Sequence, residues 1–174
     1  MSRVLAGPWA GQLLGDYGAD VIKVEKPGIG DDTRQWGPPW LGNESGYFMS
    51  ANRNKRSITV DISSNEGQDV IKDLVKHSDI LIENYKIGTL ARYGISSKEL
   101  LKINPKLIYC SVSAYGQSGS RSDQPGYDAM IQASAGLMSI TGPAEDNNNG
   151  PQKVGVAISD IMAGMYAVTA ILAA

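Results

Sequence analysis

Along this chain, short apolar runs alternate with longer segments in which apolar residues recur every three or four positions. The runs Asp20–Glu25, Ser57–Ile62, Asp79–Glu83 and Leu107–Val112 are rich in Val, Ile and Leu and predict strands. A further run, Val154–Ile158, is small or β-branched throughout, as a buried parallel strand requires. Helices are predicted between them. One opens at Pro8 and is carried by Trp9–Tyr17, with Gly7, Gly11, Gly15 and Gly18 allowing close approach to a sheet or ligand. Another is capped by Ser63 or Ser64 and turns Val70, Ile71, Leu74 and Val75 inward. The capping box Ser96-x-x-Glu99 opens a short helix that closes before Pro105. Tyr127–Ile140 and Ile161–Ala174 complete the set, the last with Ile161, Met165, Val168 and Ile171–Leu172 at helical spacing. Repeated β–α alternation predicts an α/β fold, an open and mostly parallel sheet with helices on both faces.

The intervening segments carry the polar chemistry. Lys26–Gly46 is a long loop with Asp31-Asp32, Arg34, Trp36, Pro38-Pro39 and Trp40, and loops of that length are usually functional or disordered. Its tryptophans predict order, either as an apolar plug or as a ligand wall. Asn52–Arg56 is the densest basic cluster, and a solvated face is its ordinary fate. Thr141–Gly150, with three consecutive Asn, predicts an exposed turn. The chain opens almost directly on the turn Val4–Pro8 and stops mid-helix at Ala173-Ala174, so a fragment is the expectation.

Composition narrows the function. A chain of 174 residues with 42% hydrophobic and 20% charged residues can bury a proper core. A net charge of −2 gives no pull towards nucleic acid or anionic membrane, and the basic cluster lacks aromatic interleaving. No apolar run reaches membrane-spanning length. The single cysteine, Cys110, lies in an apolar run and cannot form an internal disulfide, which fits a reducing compartment. The single histidine, His77, falls at the polar end of a helix. These counts support no Cys/His metal cluster and no Ser–His or Cys–His pair, so no metal is expected.

Asp160 is the candidate of greatest interest, at the expected joint between the last strand and the last helix. Ligands bind at that edge of open α/β sheets. Asp160 reads either as an N-cap or as a catalytic carboxylate that attacks an acyl group. Near the other end, a small-residue turn, a helix and the strand ending in Glu25 look like a dinucleotide-binding unit, but the G-x-G-x-x-G fingerprint is absent.

Several stretches together resemble the class III CoA-transferase family, which includes formyl-CoA and carnitine-CoA transferases and α-methylacyl-CoA racemase. They are Arg3–Gly11, Leu14–Glu25, Gly30–Arg34, Asn52–Ser57, Ile82–Tyr85, Ser113–Gln117, Pro125–Asp128 and Val154–Asp160, in family order. Gly30–Pro39 and Ala135–Gly142 look closest to the succinyl-CoA:glutarate branch. The resemblance implies a partial large domain over 1–174, Rossmann-like, with its first strand and the C-terminal half absent. It implies coenzyme A transfer between an acyl-CoA thioester and a small carboxylic acid, in an interlocked homodimer when full length. A cytoplasmic location is expected, or the mitochondrial matrix in a eukaryote. Asp160 matches the nucleophilic aspartate that becomes an acyl anhydride and then an aspartyl-CoA thioester. Leu5, Ala6, Lys26, Val60, Asp61, Ile62, Ser63, Asn84, Tyr85, Lys86 and Arg92 match positions lining the CoA site, and Tyr127 and Asp128 match a pair beside the aspartate. Lys26, Lys86 and Arg92 all follow predicted strand ends, where a polyanion finds cations and backbone donors.

Two departures bear on mechanism. The racemase branch carries His where Tyr127 stands, which disfavours α-proton abstraction here. Leu5 replaces the Gln of the formyl-CoA branch. The rival readings are a racemase-type isomerase and an inactive fragment or nucleotide-binding module.

Overall fold

The computed structural model describes residues 1–142 and 150–174. Residues 143–149, most of the expected turn Thr141–Gly150, lie outside the described residues. The α/β alternation is as the apolar pattern predicts. Helix α1 (Ala6–Asp16) leads to β1 (Val21–Glu25), and the long loop that follows folds into a 3₁₀ turn (Asp32–Gln35), a hairpin of β2 (Trp40–Leu41) and β3 (Glu44–Ser45), and α2 (Gly46–Ser50). Then come β4 (Lys55–Thr59), α3 (Asn65–Lys76), β5 (Ile80–Glu83), α4 (Thr89–Arg92), α5 (Ser97–Ile103), β6 (Ile108–Ser111), α6 (Asp128–Ser134) and α7 (Ile158–Ala173).

Both β1–β4 and β5–β6 are parallel pairs, in register from Val21↔Lys55 to Glu25↔Thr59 and from Ile80↔Ile108 to Glu83↔Ser111. Among the described residues they are two separate two-stranded sheets. Apolar side chains fill both sides. On one, Val24, Ile71, Val75, Leu81, Leu90, Ile95, Leu100 and Leu107 form a single buried cluster. On the other, Ala10 and Leu14 of α1 meet Val168 and Ile171 of α7. The α1–α7 crossing is close because residue 164 is glycine: a Cβ there would lie 2.7 Å from the Ala6 carbonyl oxygen and 3.0 Å from Trp9 Cδ1.

The helix ends follow the chemistry of their caps. Ser64 Oγ accepts the Gly67 N–H at 3.0 Å, and Ser96 with Glu99 forms the expected capping box. His77 is the exposed C-cap of α3. Val70, expected inward, is 43% exposed; Gly67, Ile71 and Val75, four residues apart, form the buried stripe instead. The expected Tyr127–Ile140 helix breaks at Gly136, whose φ of +83° is the left-handed conformation that ends helices, and a 3₁₀ turn (Leu137–Ile140) follows.

The largest departure is at the end that carries Asp160. No strand forms over Val154–Ile158. A strand needs a neighbour to pair its backbone; here the buried side chain of Gln132 does that work. Gln132 Oε1 accepts the Val154 N–H at 2.8 Å, and its Nε2 lies 3.4 Å from the Val156 carbonyl oxygen. Val156 is left exposed, and α7 starts at Ile158, three residues earlier than the spacing predicts.

Candidate active site

Four segments converge on a cleft of about 290 Å³: the turn into α1, the segment after β5, the loop before α6 and the first turn of α7. Asp160 lies on its wall, so it is neither sealed in the core nor turned away from the cleft. It is the third residue of α7 rather than a strand-to-helix joint, and it is not the N-cap. Ala157 holds that position without a side-chain hydrogen bond. The capping comes from the first residue of α6: Asp128 Oδ1 accepts the Ser159 N–H at 2.7 Å, while its Oδ2 accepts Gln132 Nε2 at 2.6 Å. The Asp160 carboxylate, one residue along, is thus freed from the structural duty that the N-cap reading would give it.

Its environment tunes it. Burial is the main influence on Asp160, and the like charge of Asp128 adds to it; together they raise its pKa to about 6. Tyr47 belongs to the same neighbourhood, its hydroxyl pKa raised by burial and then by the charges of Asp160 and Asp128. Trp36 meets the Tyr47 ring edge-on, with centroids 5.2 Å apart. Trp36 and Trp40 are about half exposed, and neither lines the cleft.

The turn into α1 is held under strain. Val4, a β-branched residue, sits at φ +68°. Its N–H donates to Asp31 Oδ1 at 3.2 Å, and the Asn84 amide brackets the Arg3 backbone, accepting its N–H at 3.0 Å and donating to its carbonyl at 2.8 Å. This clamp presents Leu5 and Ala6, at the N-terminus of α1, to the cleft that holds Asp160. Leu5 offers no side-chain cap, so the first N–H groups of α1 lack one.

The loop behind Tyr47 is pinned by buried charge. Glu25 accepts both Nη2 and Nε of Arg34 at 2.8 Å, Ser57 Oγ at 2.6 Å and the Asp31 N–H at 2.8 Å. Burial alone would push the Glu25 carboxyl up, but these bonds outweigh it and lower its pKa to about 2. Lys23 donates to Asp31 Oδ2 at 2.6 Å, and the Arg34 guanidinium lies 3.8 Å from the Phe48 ring centre, next to Tyr47.

The candidate residues fall into groups. Leu5, Ala6, Asn84, Tyr85, Lys86, Tyr127 and Asp160 line the one cleft. Lys26, Val60, Asp61, Ile62 and Ser63 lie beyond the carboxyl ends of β1 and β4, joined there by the Val60 N–H donating to the Glu25 carbonyl at 2.9 Å. Asp61 Oδ1 accepts the N–H and hydroxyl of Ser63, and Lys26 adds to the lowering of its pKa. Asp128 supports the cleft from behind, and Arg92 ends α4, exposed and in neither group. Asn84 spends its side chain on the Arg3 clamp, which makes it a holder of the wall. In the basic cluster, Arg53 pairs with Asp16 and Arg56 with Asp20, while Lys55 turns inward to the carbonyls of Pro8 and Ala51. Sequence reasoning missed Gln132 and Tyr47; the Asp128-x-x-x-Gln132 spacing, which lets the two side chains meet on one helix face, was the available signal for the first. Among the described residues no group of three or more His, Cys, Asp or Glu side chains could hold a metal ion, and no helix is long and apolar enough to cross a membrane.

The model of CoA-transferase family III matches residues 1–174. The chain belongs to this family. It is 49% identical over 180 residues to a succinate–glutarate CoA-transferase of Agrobacterium fabrum, covering 100% of this chain and 44% of that protein. It is 50% identical over 173 residues to the human succinyl-CoA:glutarate CoA-transferase, covering 99% of this chain and 39% of that one. The crystal structure of a CAIB/BAIF family protein from Brucella suis superposes with a TM-score of 0.94 at 48% identity, over 99% of this chain and 46% of that chain. The chain therefore spans less than half the length of these CoA-transferase relatives.

Proposed function

We propose that the protein moves coenzyme A from an acyl-CoA thioester to a carboxylic acid, with Asp160 as the covalent carrier. The observation that supports this most is the placement of Asp160 on the cleft wall, relieved of capping by Asp128 and facing the clamped Leu5–Ala6 turn. An Asp160 oxygen attacks the thioester carbonyl, the C–S bond breaks, and CoA leaves as thiolate while the acyl group forms a mixed anhydride with Asp160. The thiolate then attacks the aspartyl carbonyl, releasing the donor acid as carboxylate and leaving an aspartyl-CoA thioester. The acceptor carboxylate repeats both steps in reverse order, and Asp160 is regenerated. No net proton is consumed, and a dry pocket protects both intermediates from hydrolysis.

The chain's own residues fit such a substrate. The uncapped start of α1 offers N–H donors to developing negative charge. Lys86, exposed beside the cleft, and Lys26, beyond the β1 edge, offer cations to the phosphates and diphosphate. The names of the relatives support succinyl-CoA and a dicarboxylic acid as the exchange pair. The complete protein acts as a homodimer in this reading. The test is exchange of label between succinyl-CoA and glutarate by the complete protein and by Asp160→Asn. Loss of at least about 10³-fold in kcat is expected; an undiminished rate in the variant overturns the assignment.

A further inference from the structure

Gln132 is 1% exposed, and both polar atoms of its side chain are engaged. Its partners dictate which way the amide lies. The Val154 N–H can only donate, and it meets Oε1 at 2.8 Å. The Asp128 carboxylate and the Val156 carbonyl accept, and they meet Nε2 at 2.6 Å and 3.4 Å. An amide has one accepting and one donating end, which suits both demands at once. A glutamate of the same length suits them only while it holds a proton, and a methionine at no pH. Buried polar groups left without partners are costly, so the place is demanding of residue type.

The amide in turn governs a second bond. Asp128 stands one turn before Gln132 on α6; with its Oδ2 held by Nε2, it turns Oδ1 to the Ser159 N–H at 2.7 Å, in the first turn of α7. Asp160 is the next residue. Gln132 does not itself line the cleft, so it is not placed to touch thioester or acid. We propose that Gln132 is a positioning residue for the exchange, acting through Asp128 to lock the first turn of α7 and with it the aim of the Asp160 carboxylate. The proposal rests on the reading of Asp160 as covalent carrier. Because the cleft walls stay in place, loss of the amide slows the chemical step more than it weakens binding. Besides Asp128, the ionisable groups near Asp160 are Tyr47 on α2 and, around the cleft, Arg3, Tyr85, Lys86, Asp123 and Tyr127. The bonds of Gln132 run to Asp128, Val154 and Val156 instead, so replacing it leaves those other charges as they are.

The test measures label exchange between succinyl-CoA and glutarate by the complete protein, Gln132→Glu and Gln132→Met, with Asp160→Asn alongside. Buried beside Asp128, a glutamic acid keeps its proton well above its ordinary range and loses it at higher pH. The kcat of Gln132→Glu is therefore expected within about threefold of the parent at pH 6 and at least about tenfold below it at pH 8.5. Gln132→Met should fall at least about tenfold below the parent at both, with KM for succinyl-CoA within about threefold. A merely structural hold on Val154 would give Gln132→Glu one ratio to the parent at both pH values, since either form of the acid accepts that N–H. Such a constant ratio overturns the proposal, as does a parental rate in Gln132→Met. Where Gln132→Glu does not fold, Gln132→Met decides: loss in kcat at unchanged KM supports the proposal, and loss confined to KM overturns it. Failure of both variants to fold marks a purely structural residue and overturns it too. Exchange by Asp160→Asn would remove the reading of Asp160 itself, whereas its loss beside a pH-independent Gln132→Glu removes only the role of Gln132.

Discussion

A carboxylate that is to attack an acyl group must be ionised when the substrate arrives, and burial opposes that. With its pKa raised to about 6, Asp160 is protonated and unreactive below that value and ionised above it. The proposed exchange should show an acid limb near pH 6 in kcat/KM, which a pH-rate profile reads directly. Replacing Asp128 by Asn removes the like charge and should move the limb down. Because burial is the larger cause, the limb should stay above the ordinary carboxylate value. The same shift bears on stability. The folded chain keeps a proton that the unfolded chain releases, so this group's contribution falls as pH rises from about 3.8 to about 6. Asp160→Asn should accordingly gain on the order of 1 kcal/mol at pH 7, solvent at the half-buried group screening the rest, even as it abolishes exchange. Denaturant melts of the two proteins check this. At this scale the family resemblance singled out Asp160 and Asp128, and the structure puts Asp160 on the cleft wall with Asp128 bonded to the neighbouring Ser159 N–H. Tyr47 stayed hidden, because its nearness to the cleft depends on how a long loop is tied down.

That tie is an arrangement of elements. Glu25 at the end of β1 and Arg34 in the 3₁₀ turn form a bidentate pair, and the Phe48 ring, next to Tyr47, packs on that guanidinium. Arg34→Ala leaves Glu25 buried without its main partner and should cost about 3 kcal/mol in a denaturant melt. Glu25, with its pKa lowered to about 2, contributes stability that is present above about pH 4.5 and is lost as pH falls towards 2. Acid unfolding should begin in that window, and Glu25→Gln should flatten its pH dependence. The α1–α7 crossing is equally exacting. Gly164→Ala drives a methyl group into the Ala6 carbonyl oxygen and should cost about 1–3 kcal/mol, displacing the helix that carries Asp160. Strands β1, β5 and β6 were legible because each is a short apolar run with a parallel neighbour; β4 was expected over Ser57–Ile62 and instead spans Lys55–Thr59, because its pairing with β1 begins at Lys55 opposite Val21 and ends at Thr59 opposite Glu25. Val154–Ile158 looks the same in sequence and is not a strand, since Gln132 supplies from its side chain the hydrogen bonds that a neighbouring strand would otherwise provide.

Taken as a molecule, the described chain is an α/β layer in two halves, joined through helices on one face and the α3–α5 cluster on the other. Alternating strands and helices predict the layer, but not that its pairs stand apart, since pairing partners cannot be read from a run's own residues. The carboxyl ends of β5 and β6 lead into segments that line the cleft where Asp160 sits, as open parallel sheets do for their ligands. Every part of that edge serves one claim, that Asp160 carries the transferred group. The most direct measurement incubates the complete protein with succinyl-CoA, adds hydroxylamine, and sequences the peptides by mass spectrometry. A hydroxamate on the peptide containing Asp160, dependent on the thioester and absent from Asp160→Asn, is the predicted result. Full turnover with no modification at Asp160, or with the modification on another residue, would contradict the account.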